Sequence, residues 1–438
     1  MNVGLSAEVR YHWFREHLVV VGDWHRLSPS ERDRLRHQPM PDEAAQSLRV
    51  DLSPWSCGMV FSELLGADLT RFGLCYLAPA EVPASDLTRL GRRLREEFPL
   101  LDSQVDSGAE GFELVVHGQP EESPALEVGP FADENALIAA LLQRPHSLFE
   151  RGLLRLFHGR CGGRARWGVW LHHLVADADF ASVLLARLAV LNADPTTEAA
   201  APEFGFLQQQ WRLERQLRER RTRLEDYWSE RGEAFRELAS LPWAERASHC
   251  EDFRLAATPG GGEAALLTRL ACALALALAS QGATGKVLAL TPVSLRSRRG
   301  TAVSGCWLNL VPLLLDAATA EDTFERHRLE AFEHSLLPAE AIAERAGLRY
   351  ADAQVMINVI DQPFRSAGFI HRPTLKSRLP LTLTLVRRDD GGWDASLASR
   401  FGRERTLALA AAMAEALRPC FVSYTHLRAH ETRHDLVC

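Results

Sequence analysis

Apolar residues recur along this chain at two spacings. Leu87, Leu90, Leu94 and Phe98 stand three or four apart and predict an amphipathic helix over 86–98. The same reading predicts helices over 135–142, 180–191, 206–228, 263–280 and 406–417. The 179–188 stretch reads as opening on an acidic cap, Asp179. The 206–228 helix is so rich in charge that most of it must be a solvated face. Shorter apolar runs predict strands over 72–77, 113–117, 153–158, 167–173, 287–291, 305–313, 354–360 and 381–386. Gly162-Gly163 marks a turn that makes a hairpin of 153–158 and 167–173. Strands interleaved with helices in this way predict an α/β or α+β layered fold.

Two local signals mark the N-terminal part. Ser28-Pro29-Ser30-Glu31 has a cap, a proline at the first helical position and a glutamate closing a capping box. Residues 1–50 are therefore expected to be an extension with one or two short helices. Leu52-Ser53-Pro54 reads as a second helix start, with Met59, Phe61, Leu64 and Leu65 as its apolar stripe.

One stretch carries candidate chemistry. The run Trp167-Gly168-Val169-Trp170-Leu171 ends in His172-His173, and Asp177 follows four residues later. Alternation along a strand puts His173 on one face and His172 on the other, so the two imidazoles cannot share a role. One can face a cleft while the other packs inward. Asp177, acceptor-only when ionised, is suited to hold the loop through backbone N–H groups or an arginine from elsewhere.

Composition narrows the function classes. At 438 residues the chain has room for two domains, and 46% hydrophobic with 24% charged residues is the balance of a globular protein. A net charge of −7 argues against nucleic acid as a partner. Lysine occurs only at Lys286 and Lys376. The eight cysteines are scattered, without C-x-x-C, and read as free thiols of a reducing cytoplasm. Neither a signal peptide nor a membrane-spanning run is expected, since the apolar stretch 270–279 is too short. The Gly260-Gly261-Gly262 loop lacks the G-K-[ST] of a phosphate-binding loop. His426, His430, His434 and Cys438 recur at helical spacing, yet 421–438 reads as an appended, non-native tail, and no metal site is assigned.

The ordered segments resemble the condensation domains of nonribosomal peptide synthetases, which belong to the chloramphenicol-acetyltransferase-like acyltransferases. Leu52-Ser53-Pro54 is similar to that family's opening helix, and His172-His173-Leu174-Val175-Ala176-Asp177-Ala178 to its H-H-x-x-x-D-G core. Asp226-Tyr227-Trp228 with Leu241-Pro242 resembles its bridging segment. Thr291-Pro292-Val293-Ser294-Leu295-Arg296 resembles its T-P-V-x-x-R strand end, and Gly305 with Asn309 its G-x-x-x-N. Five departures stand out. Ala178 replaces the usual glycine and Phe180 a common serine. Phe98 and Asp102 replace a histidine and an arginine, and Pro380 an aspartate. Alanine at 178 is strained if that position needs φ > 0.

The resemblance implies two lobes in a V with a tunnel between them. The implied division is an extension over 1–50, a first lobe over 51–205, a bridging helix with the second lobe over 206–420, and the tail. It implies acyl transfer from a carrier-bound thioester to an amine, with His173 as base or amine-positioning group and Asp177 paired to Arg296. His172, Gly305 and Asn309 take supporting roles. No cofactor is expected on the chain itself. Substrates come on phosphopantetheine, from acyl or peptidyl carrier proteins or from CoA, because no carrier or adenylation segment is recognised. Neither nucleic acid nor membrane is an expected partner. Two other readings stay open: an ester-forming acyltransferase and a catalytically silent docking module.

Overall fold

The computed structural model describes residues 9–39, 47–64, 73–79, 81–108, 111–120, 123–142, 147–241, 249–255, 263–296, 303–360, 365–372, 379–388, 392–417 and 424–425. The chain forms two compact units. Residues 1–219 make the first, joined by two later segments, 296–307 and 365–373; the remainder makes the second. The 27-residue helix Gly205–Arg231 contributes residues to each.

A six-stranded mixed sheet centres the first unit. Its order is Arg365–Ser366, Phe369–Arg372, Gly73–Leu77, Arg164–His172, Leu154–Cys161 and Leu126–Phe131. The expected hairpin forms, with Leu154 opposite Leu171 and Cys161 opposite Arg164. Both faces of the central strand are buried, because helices cover both sides. On one face Trp170, Phe157 and Cys75 pack with Leu137, Ile138 and Leu141 of the helix Glu134–Leu142. On the other, the strand Leu154–Cys161 packs against the helix Ala84–Glu97, whose Leu87, Leu90 and Leu94 are fully buried. Gly168 permits the close approach of its neighbours. A Cβ there would sit 2.3 Å from the Tyr76 carbonyl oxygen and 2.5 Å from the Phe157 ring.

A three-stranded sheet (Ser47–Asp51, Phe112–His117, Ser103–Ser107) and a two-stranded one complete the unit. The latter, Val9–Phe14 with His17–Gly22, falls where only short helices were expected. Its turn carries Arg15 at φ +54° and no glycine or asparagine to announce it. The helix Pro29–Arg36 is the expected one: Ser28 Oγ accepts the Glu31 N–H and the Glu31 carboxylate accepts the Ser28 N–H. The helix near Leu52-Ser53-Pro54 starts later, at Cys57, and runs to Leu64. Its fully buried residue is Val60, whereas Phe61 and Leu64 are exposed, so the expected stripe is not the packed one. Leu65 lies outside the described residues.

The second unit holds a seven-stranded mixed sheet. Its order is Leu308–Leu315, Val287–Ser294, Val355–Ile360, Leu381–Arg387, Trp393–Ser399, His249–Leu255 and Tyr424–Thr425. The helices Glu263–Ser280 and Arg403–Leu417 pack on each other. The mixed α/β class is thus the observed one. Among the described residues no helix is long and apolar enough to cross a membrane. The Gly260-Gly261-Gly262 loop, Pro242 and the four-residue repeat from His426 to Cys438 lie outside the described residues.

Candidate active site

The strand Arg164–His172 ends one residue earlier than expected, and His173 opens the turn that follows. The Val175 N–H closes that turn onto the His172 carbonyl at 3.1 Å. The two histidines then diverge. His172 is 1% exposed; its Nδ1 accepts the Leu174 N–H at 3.0 Å, and its ring meets Trp170 edge-on. An accepting Nδ1 puts the proton of this imidazole on Nε2. His173 remains partly exposed.

Beyond the turn the chain extends through Ala176, which bridges to Gly305. The Gly305 N–H reaches the Val175 carbonyl at 2.9 Å, and the Cys306 N–H reaches that of Leu174 at 3.2 Å. Gly305 adopts φ +111°, open to glycine but strained for other residues.

Asp177 begins the next helix, Ala178–Ala193, as its N-cap. The expected cap, Asp179, lies inside the first turn instead. The Asp177 backbone is extended, and its side chain points back to take the Phe180 N–H. At 2% exposure the carboxylate has no access to water, so its donors must come from the protein. Four do. Oδ1 accepts from Phe180 N at 3.0 Å and Arg296 Nη2 at 2.8 Å. Oδ2 accepts from Arg296 Nε at 2.8 Å and Trp307 N at 3.1 Å. Arg296, 9% exposed, also donates to the Gly305 carbonyl at 2.9 Å. Both routes considered for Asp177, backbone N–H groups and an arginine, are therefore in use. A two-point guanidinium–carboxylate pair with this degree of burial is short and charge-assisted.

Asp179 Oδ2 stands 3.7 Å from Arg296 Nε. Burial and the charge of Asp177 push its carboxyl above the usual range, partly offset by Arg296. Burial, with Asp177 adding, likewise raises the Tyr76 phenol.

The unusual residues have local explanations. Ala178 is the first helical residue. Among the described residues, only Arg15 and Ala367 are non-glycine residues with positive φ, so alanine is not strained there. Phe180 is fully buried and meets Phe98 edge-to-face at 5.3 Å. Two residues that depart from the resembled pattern are thus in contact, and each is the other's apolar neighbour. Asp102, 1% exposed, pairs with Arg151 at 3.0 and 2.8 Å.

Asn309 is in the second unit, on the strand Leu308–Leu315. Its Nδ2 donates to the carbonyls of Ser335 and Leu337 at 2.6 and 2.7 Å, which pins the link between the helices Glu321–Glu333 and Ala339–Arg345. Within the first unit the structure thus brings together five of the six candidates: His172, His173, Asp177, Arg296 and Gly305.

Sequence reading passed over three contributors. Trp307 supplies a backbone donor to Asp177. Glu203 takes the Ser304 N–H and hydroxyl at 3.2 and 2.5 Å, fixing the segment before Gly305. Cys306 places its thiol against the His173 ring. Cys306 and Trp307 had a signal, their place inside the Gly305-to-Asn309 motif; Glu203 had none. Two open clefts of the first unit, of about 260 and 430 Å³, lie elsewhere; His158, Arg160 and Trp167 line one, Arg15 and Gln119 the other.

No protein-family model and no curated protein sequence matches the chain. Solved structures do. A double mutant of the starter condensation domain of rhizomide synthetase RzmA, in complex with C8-CoA and Leu-SNAC, superposes with a TM-score of 0.68 at 16% identity, over 85% of this chain and 95% of that one. The first condensation domain of the calcium-dependent antibiotic synthetase, with a substrate analogue, gives 0.67 at 18% identity over 86% and 98%. The X-domain from teicoplanin biosynthesis, also solved in complex with OxyB, gives 0.64 at 18% identity over 85% and 96%. Likeness at this identity establishes the fold alone: the chain has the mixed α/β fold of condensation domains.

Proposed function

We propose that the chain transfers an acyl group from a phosphopantetheine-linked thioester to an amine, forming an amide, with His173 as base or amine-positioning group. The observation that carries this reading is the arrangement around one turn. A partly exposed imidazole sits on a loop whose far end is clamped by a carboxylate with four donors. So much buried polar bonding in one place fixes a side chain that must meet reactants in one orientation.

In the step itself the amine nitrogen attacks the thioester carbonyl carbon and the C–S bond breaks. The amine proton passes through the imidazole to the departing thiolate. A neutral imidazole has a basicity suited to both halves of that relay. Asp177 and Arg296 neutralise each other and act through the loop, not on the reactants. The cargo of the RzmA domain, C8-CoA and Leu-SNAC, is a pair of this chemical kind and supports the substrate class.

The docking reading draws on the X-domain, solved with OxyB as its partner. One experiment separates the readings. The full chain is given C8-CoA as donor with Leu-SNAC, or a hydroxy analogue of it, as acceptor, and product is followed by mass spectrometry. Amide formation that falls by about 10²-fold or more in His173→Ala is expected. Ester from the hydroxy acceptor alone would move the assignment to O-acyl transfer. Equal product from wild type and His173→Ala would end the role of His173, and no product from either favours docking.

A further inference from the structure

Cys306 Sγ lies 3.4 Å from His173 Nδ1, within hydrogen-bonding reach of a sulfur. The thiol is partly exposed and is delivered on a rigid segment. The backbone N–H groups of Gly305, Cys306 and Trp307 are all bonded to the stretch Leu174–Asp177. Thiol and imidazole are therefore carried on two strips of backbone tied to each other.

A neutral imidazole carries one N–H, and the partner of one nitrogen decides what the other presents. We propose that Cys306 is a positioning residue for His173: its sulfur accepts the Nδ1–H, which leaves the ring's lone pair on Nε2. The kinetic consequence rests on the acyl-transfer reading above, since only a reaction using that lone pair responds to the tautomer. The hydrogen bond has a second consequence that does not. A donated N–H favours the thiolate over the thiol, so His173 should make Cys306 more reactive towards electrophiles. Arg296, which bonds the Gly305 carbonyl, also stands close, but it is unchanged by substitutions at 173 or 306.

The test has two arms. In the first, the full chain is treated with iodoacetamide at fixed pH and the alkylation rate of Cys306 is read by peptide mass, with Cys57 in the same digest as reference. Cys57 is also partly exposed, and its thiol points to the Ser53 carbonyl at 3.6 Å. The comparison is wild type against His173→Leu, which keeps bulk beside the sulfur. Cys306 should react roughly tenfold more slowly in the variant, with Cys57 unchanged. Equal Cys306 rates would overturn the proposal.

The second arm measures transfer. Cys306→Ala should lower kcat about tenfold with KM held within twofold, and Cys306→Ser, which keeps an acceptor, should recover most of the loss. Wild-type kcat in Cys306→Ala would equally overturn the proposal. Coupled alkylation in a chain that forms no product keeps the hydrogen bond and removes the acyl-transfer reading instead.

Discussion

Asp177 in the first unit and Asn309 in the second are nearly the same shape, nearly equally buried, and opposite in polarity of use. Asp177 gathers N–H groups from Arg296 and Trp307, more than a hundred residues away, and from its own helix. Asn309 gathers carbonyls, turning both hydrogens of its amide on Ser335 and Leu337. The first is charged because one of its donors, Arg296, is charged and almost buried; a neutral acceptor would leave that cation only the more exposed Asp179 carboxylate at 3.7 Å. The second is neutral because a carboxylate facing two carbonyl oxygens would meet only repulsion. Each environment thus selects one member of an isosteric pair, and exchanging them breaks the comparison from both ends.

The largest effect is expected from Asp177→Asn. It takes the close carboxylate from the Arg296 guanidinium, leaving Asp179 at 3.7 Å, and turns an amide N–H₂ towards existing donors, at a cost of about 3–5 kcal/mol. Chemical denaturation measures the loss, and hydrogen exchange locates it: the Phe180 and Trp307 amides, which Asp177 now accepts, should lose protection first. Intact protection there would mean that the clamp does not depend on the charge.

The converse exchange, Asn309→Asp, is expected to cost roughly 2–4 kcal/mol at neutral pH. Here pH matters. The introduced carboxyl can donate to one of the two carbonyls only while protonated, so its folded pKa is raised. The variant is closest to wild type below the ordinary carboxylate range and loses stability as pH rises through the raised value. Denaturation midpoints at pH 4 and pH 7 test this; a deficit that does not grow with pH would place the cost elsewhere.

The same contrast explains what the sequence could disclose. The tight turn that follows His172 was readable because it is local, and the helix-end chemistry of Ser28 and Glu31 was readable for the same reason. The partner of Asp177 was not, since residues alone allowed any arginine; only the resemblance singled out Arg296, 119 positions away. The cap itself was misplaced at Asp179, because two acidic residues two apart serve equally in a sequence pattern and only the extended backbone at Asp177 decides. The hairpin Val9–Phe14 and His17–Gly22 was missed because Arg15 takes the left-handed turn position without a turn-forming residue. Phe98 and Phe180 read as two separate oddities until their rings were found in contact.

The smallest effect concerns the second acidic residue at the clamp. Asp179 is half-buried beside Asp177, and those two influences outweigh Arg296 in raising its carboxyl. A folded-state carboxyl above its unfolded value holds its proton more tightly in the native chain. Its favourable contribution is present below the usual carboxylate range and is lost as pH rises through the raised value. Asp179→Asn cannot ionise, so it should match wild type near pH 3 and exceed it at pH 7. Solvent screening at a side chain 41% exposed keeps the gain below about 1 kcal/mol. Thermal unfolding of both proteins across that range reads the sign directly. Lower stability of Asp179→Asn at pH 7 would make Asp179 a second counter-ion for Arg296, and the clamp would then rest on two carboxylates where Asn309 manages with one neutral amide.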